Sequence, residues 1–209
     1  MRKLIVIVTS TLDGYAAGEG GDVFVMPIDL GFDRYNLQRM RAADTMLFGA
    51  TTFRGARSYW PPLADDDSAP EVEREISRLH DTLDKVVVSD STGSDQTSPW
   101  QANTEIVRRA DAQARITELK AGEGGDIVCF GSLITWNDLL AHGVVDELHI
   151  LIGPGAIGSG LPTFRQPVHQ ELTLLDARRL EDSNLVALRY TVTADRASPP
   201  PPPVGVVGL

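Results

Sequence analysis

Leu4 to Val8 is an unbroken run of branched apolar residues, set between Arg2-Lys3 and Thr9-Ser10-Thr11. A run without polar alternation predicts a strand covered on both faces, as in parallel sheets. Similar runs recur at Thr45 to Phe48, Lys85 to Val88, Ile127 to Phe130 and Leu148 to Ile152. Between them the spacing turns helical. Ser68-Ala-Pro-Glu71 reads as a capping box with Pro70 in the first turn, and Val72, Ile76, Leu79 and Leu83 then fall on one stripe. Ser132 as N-cap and Gly143 as terminator bound a second helix, Asp111 caps a third running to about Lys120, and Asp33 to Ala42 forms a fourth. Strands alternating with helices predict βαβ units, and so an α/β fold with a central, mostly parallel sheet flanked by helices.

After Gly160 the pattern changes. Leu172 to Leu175 and Leu185 to Val192 flank the polar turn Glu181-Asp-Ser-Asn184, which predicts a C-terminal antiparallel hairpin. From Arg196 the chain becomes Ala-Ser followed by five prolines, which cannot join a sheet interior. The expected organisation is one domain over residues 1–194 and a proline-rich tail over 195–209.

Composition narrows the function. A formal net charge of −10 works against binding a phosphate backbone, which excludes nucleic acid as an expected partner. The single cysteine, Cys129, allows no internal disulfide and no zinc site with two thiolates. It falls inside a predicted strand, where a thiol acts as a small hydrophobe. No apolar run approaches the ~20 residues of a membrane span, and the five apolar residues after Lys3 are too few for a signal peptide, so a cytoplasmic protein is expected. His80, His142, His149 and His169 lack ligand spacing, and no metal site is expected.

In an open α/β sheet, ligands bind beyond the carboxyl ends of the strands. The residues there are small and polar: Thr9-Ser10-Thr11-Leu12-Asp13-Gly14, Gly49-Ala50-Thr51-Thr52, Ser89-Asp90-Ser91 and Gly131-Ser132. Small residues admit a ligand to the backbone, and the helix starting at Ser132 offers unpaired N–H groups to an anion. The same residues also serve as ordinary turns and caps.

Gly131-Ser-Leu-Ile-Thr-Trp-Asn-Asp-Leu-Leu-Ala-His-Gly143, then Val145-Asp-Glu-Leu148, then Pro154-Gly-Ala-Ile-Gly158-Ser-Gly160-Leu-Pro-Thr-Phe164, closely resembles the dihydrofolate reductase-like family that includes the C-terminal reductase domain of bacterial riboflavin biosynthesis. Ser10-Thr-Leu-Asp13-Gly14-Tyr15 is similar to that family's first loop, and Leu47-Phe-Gly49-Ala-Thr51-Thr52-Phe53 to its second strand and the start of the following helix. The resemblance spans about residues 2 to 194. It implies NADPH-dependent hydride transfer to a small substrate, with the pyrophosphate near Gly49, Thr51 and Gly131 to Leu133. Thr52 and Ser89 complete the expected cofactor-binding set.

The same resemblance places the substrate near Asp13 and the first helix. It also puts Asp33, by its spacing from Gly49, where dihydrofolate reductases hold a carboxylate that helps protonate the pterin. Asp13 and Asp33 are therefore the expected catalytic residues, with a plain helix N-cap as the other reading of Asp33. The chain departs from the family at Ala50 and Asp90, where a basic residue is common, and at Leu133, often glycine. These departures leave NADH open beside NADPH. They also leave open a non-catalytic nucleotide- or ligand-binding protein that kept the fold. The deaminase half of the bifunctional riboflavin enzymes is excluded for this chain, since its zinc site needs two cysteines. A homodimer is the expected assembly.

Overall fold

The computed structural model describes residues 1–25 and 28–195; the proline-rich tail from Arg196 lies outside the described residues. In chain order the elements are β1 (Leu4–Ser10), β2 (Tyr15–Ala17), α1 (Leu30–Met40), β3 (Ala43–Gly49), α2 (Ala50–Tyr59), α3 (Glu71–Thr82) and β4 (Asp84–Val88), then β5 (Thr104–Val107), α4 (Ala112–Ala121), β6 (Asp126–Phe130), α5 (Leu133–Ala141), β7 (Glu147–Ile152), β8 (Leu161–Pro162), β9 (Gln170–Arg179) and β10 (Val186–Asp195). The main sheet has the order β5-β4-β3-β6-β1-β7-β10-β9, and β2 pairs with β8 in a small second sheet. β5 through β7 are mutually parallel, and β10 and β9 close the far edge antiparallel. This is the expected α/β architecture with its C-terminal hairpin, the hairpin strands being longer than their apolar runs suggest.

β1 lies between β6 and β7 and divides the core. Leu4, Val6 and Val8 face α4 and α5 with Ile116, Trp136, Leu139 and Leu140; Ile5 and Ile7 face α1 to α3 with Tyr35, Leu37, Met40, Phe53 and Ile76. An unbroken apolar run is what such a two-sided position requires. Each fully buried aliphatic side chain contributes about 1.5–3 kcal/mol. Cys129 is fully buried in β6, where burial pushes its thiol up to about 12, so it stays an inert thiol as expected.

Three local expectations change. Helix α1 begins at Asp29, whose side chain accepts the amide of Gly31 at 2.9 Å, so Asp33 is not the N-cap but stands in the first turn. At α3 the capping box does not form: the Ser68 hydroxyl donates to Asp66 at 2.6 Å, and Pro70 occupies the cap position. Ser132 and Asp111 are N-caps by position, yet neither side chain caps its own helix. β5, β2 and β8 were not expected from the apolar runs.

Under α2 and α3, His80 stacks between Trp60 and Trp100 at centroid distances of 5.2 Å on each side. Lys85 lies 4.9 Å from the centre of the Trp100 ring and donates to the Leu83 carbonyl at 2.6 Å. Burial lowers His80 to about 3 and Lys85 to about 8. Trp100 is part of the core, whereas Tyr59 is exposed.

Candidate active site

The chain leaves β3 toward the face covered by α1 to α3 and leaves neighbouring β6 toward the face covered by α4 and α5. Divergent connections from adjacent parallel strands open a crevice at their carboxyl ends. Two helix N-termini meet there. The Gly49 amide donates to Ser132 Oγ at 3.0 Å, and the Ser132 amide donates to Thr52 Oγ1 at 3.1 Å, so the starts of α2 and α5 are tied across 80 residues of sequence. A Cβ at Gly49 would come within 2.7 Å of Thr135 Oγ1, so any larger residue there would displace the Thr135 side chain. Gly131 and Ser132 both adopt left-handed backbone, φ 57° and 49°. For a serine this conformation costs about 1–2 kcal/mol, and the neighbouring hydrogen bonds hold it.

No side-chain bond caps α2 or α5 at its N-cap. Gly131 and Thr51 are exposed. Two positive helix ends side by side, open to solvent and not quenched by a carboxylate cap, suit a phosphate-bearing ligand. The expected residues Gly49, Thr51, Thr52, Gly131, Ser132 and Leu133 are thus brought together. Leu133 is half-buried, and with Leu161, Pro162 and Arg165 it lines an adjacent hollow of about 160 Å³.

Ser89 shapes its own loop. It is buried, accepts the amides of Ser91 at 3.2 Å and Thr92 at 3.0 Å, and donates to Thr92 Oγ1 at 2.8 Å. Asp90, next to it, accepts the Arg109 amide at 3.1 Å and lies 3.7 Å from Arg109 Nε, which partly offsets its charge. Arg57 donates to the Gln96 carbonyl, whereas Arg54 is exposed and contacts Thr51 Oγ1 at 3.2 Å.

Asp13 joins two loops. Its Oδ2 accepts the amides of Ile157 at 3.0 Å and Gly158 at 2.7 Å, and the Leu12 amide donates to the Gly155 carbonyl at 2.7 Å. The Thr11 hydroxyl first, then the Gly158 amide, hold the carboxyl below its usual range, so near neutrality it is a carboxylate that accepts hydrogen bonds. The Pro154 to Gly160 stretch carries sequence resemblance, but its pairing with Asp13 is visible only in three dimensions. Behind this clasp, Thr163 donates to Ser10 Oγ at 2.9 Å, and Asn137 on α5 donates to the Thr163 carbonyl at 3.1 Å.

Asp33 is the contrasting carboxylate. It is half-buried on α1 toward α3, and burial first, then the charges of Glu73 and Asp29, push it up to about 6. The two carboxylates are not hydrogen-bonded to one another: Asp13 belongs to the loops beyond β1 and β7, and Asp33 to the α1–α3 side. Their environments drive them in opposite directions, the arrangement that separates a fixed anion from a group able to carry a proton.

Among the described residues no helix is long and apolar enough to cross a membrane, and no three His, Cys, Asp or Glu side chains converge as a metal site. Among known proteins, the uncharacterized protein YyaP of Bacillus subtilis (strain 168) is 27% identical over 165 residues, covering 78% of this chain and 80% of that one. A pyrimidine reductase-like protein from Corynebacterium diphtheriae shares the fold with a TM-score of 0.65 and 17% identity, covering 93% of each chain. The bifunctional diaminohydroxyphosphoribosylaminopyrimidine deaminase/5-amino-6-(5-phosphoribosylamino)uracil reductase of Thermotoga maritima shares it with a TM-score of 0.61 and 13% identity, covering 92% of this chain but 57% of the larger protein. The model of the RibD C-terminal domain matches residues 2–187, and with the sheet order and strand-end crevice described above it shows that the chain belongs to the RibD C-terminal domain family.

Proposed function

We propose that the protein is an NAD(P)H-dependent reductase acting on a small substrate of the pterin or ribosylamino-pyrimidine kind. The observation that carries this reading is the paired, uncapped N-termini of α2 and α5, linked through Gly49, Ser132 and Thr52. The bound dinucleotide supplies the hydride. The protein's part is to position, to exclude water and to deliver a proton.

In this reading the amides of Thr51, Thr52 and Leu133, in the first turns of α2 and α5, hold the pyrophosphate on the junction that Gly49, Gly131 and Ser132 shape, and Ser89 keeps the neighbouring loop in place. Asp13 fixes the loop after β1 against residues 155–158 and so walls the substrate side. Asp33, raised to about 6, takes up and releases a proton close to neutrality and in its protonated form passes it to the substrate. NADPH is the proposed cofactor, with exposed Arg54 as the basic residue at its ribose end; Asp90, held by Arg109, is the feature that favours NADH instead. We also propose a homodimer formed through the β9–β10 sheet face, where Leu174 and Leu175 are about half exposed on the edge strand.

The alternative is a ligand-binding protein without turnover, and the Leu133 side chain beside the helix junction is what favours it. Ser132→Ala decides whether the junction is a dinucleotide site. Loss of the hydroxyl removes the bond to the Gly49 amide and is expected to weaken NADPH binding at least tenfold, about 1.4 kcal/mol. Unchanged affinity in a folded variant would refute the placement.

A further inference from the structure

A second cluster of charged groups lies on the α1 side of the sheet, where α1 meets β7, β10 and β9. In the strand register His149 pairs with Arg189, Arg189 with Asp176, and Ala187 with Arg178. The Tyr35 hydroxyl on α1 is 2.9 Å from His149 Nδ1, and His149 Nε2 is 3.0 Å from Glu147 Oε2. Glu147 also accepts from Lys3 at 2.8 Å and from Arg189 Nη2 at 3.2 Å. Burial pushes the Glu147 carboxyl up, but the hydrogen bonds from Lys3, His149 and Arg189 outweigh it and hold the group at about 2. Burial keeps His149 neutral, down at about 4, and raises Tyr35, which stays protonated.

These states fix the hydrogens. An ionised Glu147 can only accept, so His149 carries its proton on Nε2, and its Nδ1 accepts the Tyr35 hydroxyl. Arg189 Nε, 3.4 Å from His149 Nε2, therefore meets another N–H there and has no acceptor at that atom. Arg39 shows the same deficit. Its guanidinium lies 5.8 Å from the centre of the Tyr35 ring, and its Nε is buried without a hydrogen-bond partner among the described residues. Arg178, half exposed, pairs with Asp176 at 3.5 Å. A buried guanidinium nitrogen without an acceptor, as at Arg39 Nε, is costly and calls for a counter-group. Arg39, Arg178 and Arg189 face Glu147 and Asp176 here, a local excess of positive charge in a chain of net charge −10.

We propose that this shelf between α1 and the β9–β10 hairpin binds a compact oxyanion, inorganic phosphate or a phosphate monoester, with Arg39, Arg178 and Arg189 as its donors. A planar guanidinium is suited to this task because its fork matches two oxygens of a phosphate. The inference is independent of the reductase reading, since the shelf sits along β7 and not at the strand ends.

The test is calorimetric titration of the full chain with inorganic phosphate, alone and in saturating NADPH. Saturable binding that weakens at least tenfold in Arg39→Gln and in Arg178→Glu, and that NADPH does not displace, is the expected result. The half-exposed Arg178 carries the test if Arg39→Gln lowers the yield of folded protein. Absence of binding, affinity that both variants leave unchanged, or displacement by NADPH would each overturn the assignment. The last would place the phosphate at the α2–α5 junction.

Discussion

Asp33→Asn should make the protein more stable and less active. The carboxyl is raised from its ordinary 3.8 to about 6, because burial and the charges of Glu73 and Asp29 disfavour its ionised form. At about 1.4 kcal/mol per pH unit this displacement corresponds to roughly 3 kcal/mol. Part of the side chain stays in water, and solvent screening reduces the figure to about 1–2 kcal/mol. The sign follows from linkage. The folded state holds this proton more tightly than the unfolded chain, so stability falls as pH rises from about 4 to about 6, and the full penalty is present above that window. Asparagine keeps the shape and removes the charge. Urea denaturation at pH 7.5 should therefore show the variant about 1–2 kcal/mol more stable than wild type, and at pH 4 the difference should shrink toward zero. In the proposed reaction the same substitution removes the proton donor and should lower turnover by about 10²–10⁴. A variant less stable than wild type at pH 7.5, or a difference independent of pH, would refute the reasoning.

Other consequences follow from the same structure. Lys85→Met should stabilise the protein near pH 7: burial lowers the amine to about 8, and the Leu83 carbonyl it leaves still accepts from Asn103 at 2.9 Å. Because the folded state disfavours this cation, wild-type stability should rise between about pH 8 and 10.5, and denaturation curves of the variant should lack that rise. Thr52→Val removes the acceptor for the Ser132 amide and should raise the Kd for NADPH about tenfold, measured by nicotinamide fluorescence, and lower stability by about 1–3 kcal/mol because a part-buried amide is left unpaired. Leu174→Glu on the exposed hairpin face should shift the molecular mass in light scattering from dimer toward monomer while circular dichroism stays unchanged.

The strands that build the crevice are legible because each is buried on both faces and so written as an apolar run; β1 and β6 are the clearest. β5 is not, since Thr104-Glu-Ile-Val is four residues long and lies at the sheet edge with Glu105 in solvent. The start of α1 is hidden because glycine occupies its first turn, and the true cap, Asp29, bonds that glycine's amide. The Ser68 box fails because Asp66 takes the serine hydroxyl before the helix begins.

At the site, small residues after each strand point to the junction, but the exchange between Gly49, Ser132 and Thr52 joins parts of the chain that no local pattern connects. Asp13 and Asp33 look alike in sequence. Only their surroundings, two loop amides for one and a buried acidic flank for the other, separate an anchoring carboxylate from a proton carrier.

The central claim, that the α2–α5 junction holds a nicotinamide dinucleotide, is tested most directly by titrating the purified protein with NADPH and with NADH and following nicotinamide fluorescence. Saturable binding of at least one in the micromolar range, weakened at least tenfold in Ser132→Ala, is the predicted result. Absence of binding to either, in a protein shown to be folded, would contradict the account and leave the fold serving another ligand.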